Sequence, residues 1–427
     1  MPTRPAVTQR VLPAEAPSLL GTTNEPSALP ETVSYLRGAS RLAVDAVVGV
    51  TQIVESLHRN IAGLAPVVGA SRPGRTRGIT GAVYSSVRGV TRVVGMGLDA
   101  ALAKLSPLLR GGRGSPRSEA VRAALNGVLG DYLAASKNPL AIPMQLRQQG
   151  RALTLEHGAL RREIEAPKAR LLLLVHGLCM NDLQWRRAGH DHGEALAQEL
   201  GFTPLYLFYN SGEHISTNGR ALAQLLETLL REWPVQVDEL VIVGHSMGGL
   251  VARSAVFCAR RARMDWPKRL RRMVFLGTPH HGAPLERAGN WVDILVGISP
   301  YTAPFSRLGK IRSAGVKDLR YGNLVDADWQ GQAPDHTHDP RTPVPLPRGV
   351  RCYTLAATRE TGLDVPTRRL PGDGLVPLMS ALGEHHDPRR SLRFAATHRC
   401  IVRGCGHLEL LDRRDVYEQV RDWLAEV

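Results

Sequence analysis

Two rhythms of apolar residues divide this chain of 427 residues. From about residue 150 onward, short apolar runs of strand length alternate with segments whose apolar positions recur at helical spacing. That alternation predicts a mostly parallel sheet with crossover helices on both faces, an α/β architecture. The candidate strands are 152–156, 171–175, 204–209, 239–243, 273–276 and 351–356, and the candidate helices 191–200, 218–232, 247–263 and 413–426. Leu171-Leu172-Leu173-Leu174-Val175 is apolar throughout, as a strand buried on both faces should be. The alternation breaks between the strand at 273–276 and the one at 351–356. The stretch of about 283–347, with Trp291, Tyr301, Phe305 and Trp329 and then a Pro-rich run, is expected to form a cap with an apolar underside over the C-terminal ends of the strands.

Ahead of residue 150 the pattern is helical. Residues 1–30, rich in Pro, Thr and Ala, are expected to be a disordered tail, and 31–150 a basic helical region. One stripe runs through Val33, Leu36, Ala43, Val47, Val54, Leu57 and Ile61, and ends at a Pro/Gly/Arg break. A second, Val83, Val87, Val90, Val94, Leu98, Ala101 and Leu105, keeps heptad spacing. A third helix opens with Ser115 as its N-cap and Pro116 at its first position, and carries Val121, Leu125, Val128 and Tyr132. These helices are read as packing on the catalytic domain or on one another, with self-association or contact with a lipid surface as the other outcomes. Oligomeric state is left open.

Charge sharpens that choice. The net charge is +15, and residues 1–150 hold 17 Lys and Arg against 8 Asp and Glu, so the basic excess is concentrated there. An anionic membrane surface would answer it. No zinc-finger spacing or RNA-binding aromatic signature accompanies it, so nucleic acid is not expected. Five cysteines, most of them in apolar runs, suit a reducing compartment better than a disulfide framework, although Cys400 and Cys405 stand close enough in sequence to pair. With no apolar run of about 20 residues, the expected location is cytoplasmic and peripheral to a membrane.

Candidate chemistry centres on Gly244-His245-Ser246-Met247-Gly248, which follows an apolar strand and opens a helix. A serine on so tight a turn needs small neighbours, which Gly244 and Gly248 supply around His245 and the nucleophile Ser246. A serine hydroxyl also needs a base, and the base an orienting acid, in the chain order Ser, Asp or Glu, His. Asp373, in the glycine turn 371–377, and His407, in the glycine turn 404–408, fill those places. Rival acids are Asp326, Asp328 and Asp364; rival bases are His385, His386 and His398. The oxyanion of a tetrahedral intermediate needs two backbone donors. Met247 supplies one, and Leu178, after His176-Gly177, the other, with His176 read as shaping that loop. The 335–339 stretch alternates Asp and His but is read as a solvated loop, so no metal or cofactor is assigned.

His176-Gly177-Leu178, the serine turn, Gly277-Thr278-Pro279-His280-His281-Gly282 and Gly372-Asp373-Gly374-Leu375-Val376-Pro377, taken in this order, resemble the α/β-hydrolase lipases and esterases, especially the bacterial lipase and inositol-deacylase-like (PGAP1-like) branch. The similarity covers about residues 168–425. It implies an α/β-hydrolase fold with an N-terminal helical region added, and hydrolysis of lipid-like carboxylic esters through an acyl-enzyme on Ser246, without a cofactor. It also implies a loop-shaping role for His280. A thioesterase, acyltransferase or polyester depolymerase would use the same triad. A membrane- or granule-surface adaptor is the non-enzymatic alternative.

Overall fold

A computed structural model of the chain describes residues 10–12, 116–135, 137–138, 140–283, 313–330, 339–362 and 370–426. The central strands are β4 (Arg170–Val175), β7 (Thr203–Phe208), β8 (Glu239–His245), β9 (Leu270–Leu276), β10 (Arg351–Thr358) and β11 (Arg399–Arg403), all paired in parallel. An antiparallel hairpin of β2 (Gln145–Gln148) and β3 (Arg151–Ala152) extends the β7 edge, and β1 (Arg10–Leu12) runs parallel to β11 at the other. The resulting sheet has nine strands in the order β1-β11-β10-β9-β8-β4-β7-β2-β3. A separate ribbon pairs β5 (Arg186–Arg187) with β6 (His190–Asp191).

The apolar run in β4 now has its reason. Successive strand residues point to opposite faces. Leu171, Leu173 and Val175 enter one core cluster, and Leu172 and Leu174 the other. Four helices cover the first face: α1 (Pro116–Ala135), α2 (His157–Glu163), α4 (Ile215–Glu232) and α5 (Met247–Arg261). The second is covered by α3 (His192–Leu200) and α7 (Arg414–Ala425). Asp191 caps α3 by accepting from the Gly193 and Glu194 amides, and Gly201 ends it in the left-handed region at φ 74°. All four predicted helices form, each within three residues of its expected bounds.

Three expectations change. The strand expected at 152–156 shrinks to β3, because Gln149 (φ 50°) and Gly150 (φ 76°) turn the chain tightly and Glu156 already caps α2. Its partner β2 went unpredicted, since Gln-Leu-Arg-Gln reads as polar. Arg147 is nonetheless buried, paired with Glu119 at 3.0 Å and Asp182 at 3.1 Å. β11 also escaped, with only Cys400, Ile401 and Val402 between arginines.

The third change is the boundary expected at residue 150. The third predicted helix is α1, starting at Pro116, and its Leu125, Val128, Leu129 and Leu133 belong to the same core cluster as β4 and α5. The body built on the sheet therefore includes α1. Of the expected tail and basic helices, residues 1–9 and 13–115 lie outside the described residues, and Arg10–Leu12 forms β1.

The cap insertion is described in part, its apolar stretch through Trp291, Tyr301 and Phe305 lying outside. What is described is pinned to the domain. Helix α6 (Ala314–Tyr321) donates Ala314 N–H to Asp131 on α1 at 2.9 Å. Its Asp318 accepts from His214 Nδ1 and the Ile215 amide, each at 2.9 Å. Trp329 stacks on His214 with ring centroids 3.7 Å apart.

Candidate active site

Strand β8 hands directly into α5, and Ser246 at the junction has φ 54° and ψ −126°. That is a strained conformation for a residue with a side chain. The glycines follow from close approach: a Cβ on Gly248 would lie 2.1 Å from Val175 O, and one on Gly244 2.6 Å from the Gly249 backbone. The Ser246 amide donates to Leu276 O at 2.8 Å, which ties the elbow to the end of β9.

The predicted acid and base meet although 34 residues separate them in sequence. His407 Nδ1 stands 2.7 Å from Asp373 Oδ2, with both side chains buried. Asp373 Oδ1 accepts the Leu375 amide at 2.9 Å and the Val376 amide at 2.8 Å. With Nδ1 committed to the carboxylate, Nε2 is the nitrogen left to exchange a proton. His407 packs on the elbow itself: its ring centroid is 4.7 Å from that of His245, and its carbonyl accepts from His245 Nε2 at 3.1 Å. A Cβ on Gly277, beside the carbonyl that holds Ser246, would lie 3.2 Å from the His407 ring.

The rivals sit elsewhere in other roles. Asp326 is taken by Ser216 and Arg220, and Asp328 accepts the Leu324, Val325 and Thr342 amides. His385 faces Asp339 at 3.4 Å, His386 is exposed beside it, and His398 packs on Tyr353 with centroids 4.2 Å apart. Asp364 lies outside the described residues.

The loop after β4 lies against the serine turn. Leu178 and Met247 are buried, and among the described residues neither amide enters a backbone hydrogen bond. Gly177 brings that loop onto the serine, where a Cβ would lie 3.0 Å from Ser246 Cβ. His176 holds the loop as expected: Nδ1 contacts Gly177 O at 2.9 Å, and the ring stacks on Tyr209, whose hydroxyl donates to His176 O at 2.8 Å. Burial pushes the His176 pKa down to about 4, which leaves its imidazole neutral. His280 is buried against Phe275 and Phe394, and burial first, then Arg253, drives its pKa well below the ordinary histidine value.

Sequence reading missed the residues behind this loop. Cys179 takes φ 59°, donates its amide to Ser211 Oγ at 3.0 Å, and packs on α1 so closely that a Cβ on Gly127 would lie 2.1 Å from its Sγ. Nothing in an isolated Leu-Cys-Met pattern signals this. Gly127, within an otherwise good helix, was the one available hint. Cys400 and Cys405, which the sequence allowed to pair, are both buried and form no disulfide with each other. Among the described residues no group of three or more His, Cys, Asp or Glu could hold a metal ion.

Residues 167–338 match the family described as the PGAP1-like alpha/beta domain, a span that holds the elbow and the loop after β4 and ends before Asp373 and His407. No curated protein matches the chain. Among solved structures, the mature form of the Bacillus licheniformis lipase BlEst2 is similar at 18% identity and TM-score 0.40, over 61% of this chain and 95% of that one. An esterase of Pyrobaculum calidifontis aligns at 13% identity and TM-score 0.37, over 62% of this chain and 77% of its own. MGS-MChE2, an alpha/beta hydrolase enzyme from a lagoon-sediment metagenome, aligns at 14% identity and TM-score 0.35, over 65% and 97%. Residues 167–338 are thus similar to the PGAP1-like alpha/beta domain, and they lie on the mostly parallel sheet described above.

Proposed function

We propose that this protein is a carboxylic ester hydrolase that works through an acyl-enzyme on Ser246, and that its substrates are lipid-like acyl esters. The observation that carries the reading is a strained serine between β8 and α5, with a buried His407–Asp373 pair packed against its neighbour His245. His407 Nε2 takes the serine proton as Oγ attacks the ester carbonyl, and the resulting imidazolium is stabilised by Asp373. The Leu178 and Met247 amides receive the oxyanion. On collapse, His407 returns the proton to the leaving alcohol, and water then releases the acyl group by the same steps. The family match and the lipase and esterase names of the similar structures agree with this class.

Labelling by a fluorophosphonate, together with hydrolysis of p-nitrophenyl esters of graded acyl length, tests the reading. Both signals should disappear in Ser246→Ala, and labelling that survives the substitution would refute it. Hydrolysis favouring longer acyl chains would place the substrate among lipids. Transfer to an added alcohol or thiol in preference to water would make it an acyltransferase instead.

Five cysteines outside any disulfide, four of them buried, support a reducing compartment for this reaction. The basic excess in residues 1–150 supports working contact with an anionic lipid surface. Among the described residues no helix is long and apolar enough to cross a membrane.

A further inference from the structure

A cavity of about 520 Å³ opens between α5, the Pro-rich end of the cap insertion and the loop before β11. It is separate from the triad, since neither Ser246, Asp373 nor His407 lines it. Six arginines do: Arg253, Arg341, Arg351, Arg389, Arg390 and Arg393. The one carboxylate paired with them among the described residues is Asp339, bonded to Arg341 at 2.6 Å and facing Arg390 at 3.4 Å.

Arg253 is the unusual member. Two turns along α5 from the nucleophile, it is only 4% exposed, yet no carboxylate of the described residues pairs with it. Its Nη1 lies 3.3 Å from His280 Nδ1, Nη2 donates to Val344 O, and Nε is buried with no partner. Burial, with repulsion from Arg341 added, pushes its pKa down to about 9. A buried guanidinium without a counter-ion is unfavourable, and one held at the wall of a basic cavity marks a place where an anion would supply the missing charge.

We propose that this cavity binds a phosphoryl group, with Arg253 at its base and Arg389 and Arg393 at its exposed rim. The site stands apart from the esterase reading and does not depend on it. Guanidinium forks match the oxygens of a phosphate in pairs. The charge of a phosphate monoester, about −2, also answers the surplus better than a single carboxylate would. Val344, Leu346 and Leu392 give the same cavity an apolar wall, so the phosphate would arrive on a small organic body or on a lipid headgroup.

The test uses the full chain at constant ionic strength, with sodium chloride as the reference. Inorganic phosphate and glycerol 3-phosphate should raise Tm in a dose-dependent way, and titration calorimetry should give a saturable isotherm. Arg253→Met should weaken that affinity at least tenfold, and the rim variant Arg389→Gln/Arg393→Gln, which leaves the core untouched, about threefold or more. Binding to phosphatidylcholine vesicles containing phosphatidic acid but not to phosphatidylcholine alone, weakened in the rim variant and without any response to glycerol 3-phosphate, would identify the source as a headgroup. No response to either soluble phosphates or anionic vesicles would overturn the proposal, and so would binding that both variants leave unchanged.

Discussion

Asp373 is fully engaged before it meets His407. One carboxylate oxygen accepts the Leu375 and Val376 amides, and the other faces His407 Nδ1 at 2.7 Å. The carboxylate therefore fixes the imidazole from a position fixed in its turn by the backbone. Asp373→Asn should separate these two jobs. The new amide can keep its oxygen on the two N–H donors only by offering its NH2 to Nδ1, which puts the histidine proton on the wrong nitrogen. We expect kcat on a short p-nitrophenyl ester to fall about 10³- to 10⁴-fold while Tm changes little. Activity within tenfold of the parent would remove Asp373 from the triad.

Gly127 should be sensitive out of proportion to its distance from the serine. In a free helix, Gly→Ala stabilises by roughly 1 kcal/mol. Here the added methyl would meet the Cys179 thiol behind the oxyanion loop, and the sign reverses: overpacking of this kind destabilises by about 1–3 kcal/mol. Gly127→Ala should lower both Tm and kcat, and adding Cys179→Ala should restore part of each. Denaturant melts and ester kinetics on the single and double variants would check this.

Acid should weaken the fold from inside. Burial pushes His176 and His192 from an ordinary 6.5 down to about 4. Between those values the unfolded chain takes up a proton at each site that the folded chain refuses, so stability rises with pH over this window. It is fully present above pH 6.5 and is lost as pH falls toward 4. On the order of 3 kcal/mol per histidine is at stake. Tm measured from pH 7.5 to 4 should fall steeply below 6.5, and His192→Gln should shallow that fall if the amide keeps the contact with Leu410 O.

Thiol chemistry in the native state should be confined to one residue. Burial pushes Cys179 and Cys352 up to about 12, and Cys405 higher still, whereas Cys258 on α5 is only half-buried. Iodoacetamide at pH 8 should modify Cys258 slowly and the other four only after denaturation, as read by intact mass and peptide mapping.

The parts of this molecule that were legible in its sequence are those where local pattern and tertiary role coincide. β4 announced itself because both its faces are buried, and the serine turn because backbone crowding at Gly244 and Gly248 excludes every larger residue. Asp373 and His407 were visible through chain order and their glycine turns. What stayed hidden was decided by long-range pairing. β2 conceals a buried Arg147 that only Glu119 and Asp182 make tolerable, and β11 is three apolar residues sheltered by β10. Helix α1 was found in its own right, with packing on the sheet domain among its expected outcomes, but it was placed beyond a boundary at residue 150 that its core contacts do not respect.

That assignment bears on how the protein can be taken apart. Cutting at residue 150, where composition shifts, would discard α1 and leave the reverse side of the Leu178–Cys179 segment open to water. It would also strip Asp131 from Ala314, and remove β2, with Arg147, from its pairing with β7 and Asp182. Burying each Leu or Val side chain is worth about 1.5–3 kcal/mol, so losing four from this helix would cost about 6–12 kcal/mol, comparable to the whole margin of about 5–15 kcal/mol by which domains stay folded. Any fragment meant to keep this core has to include α1 from Pro116 onward.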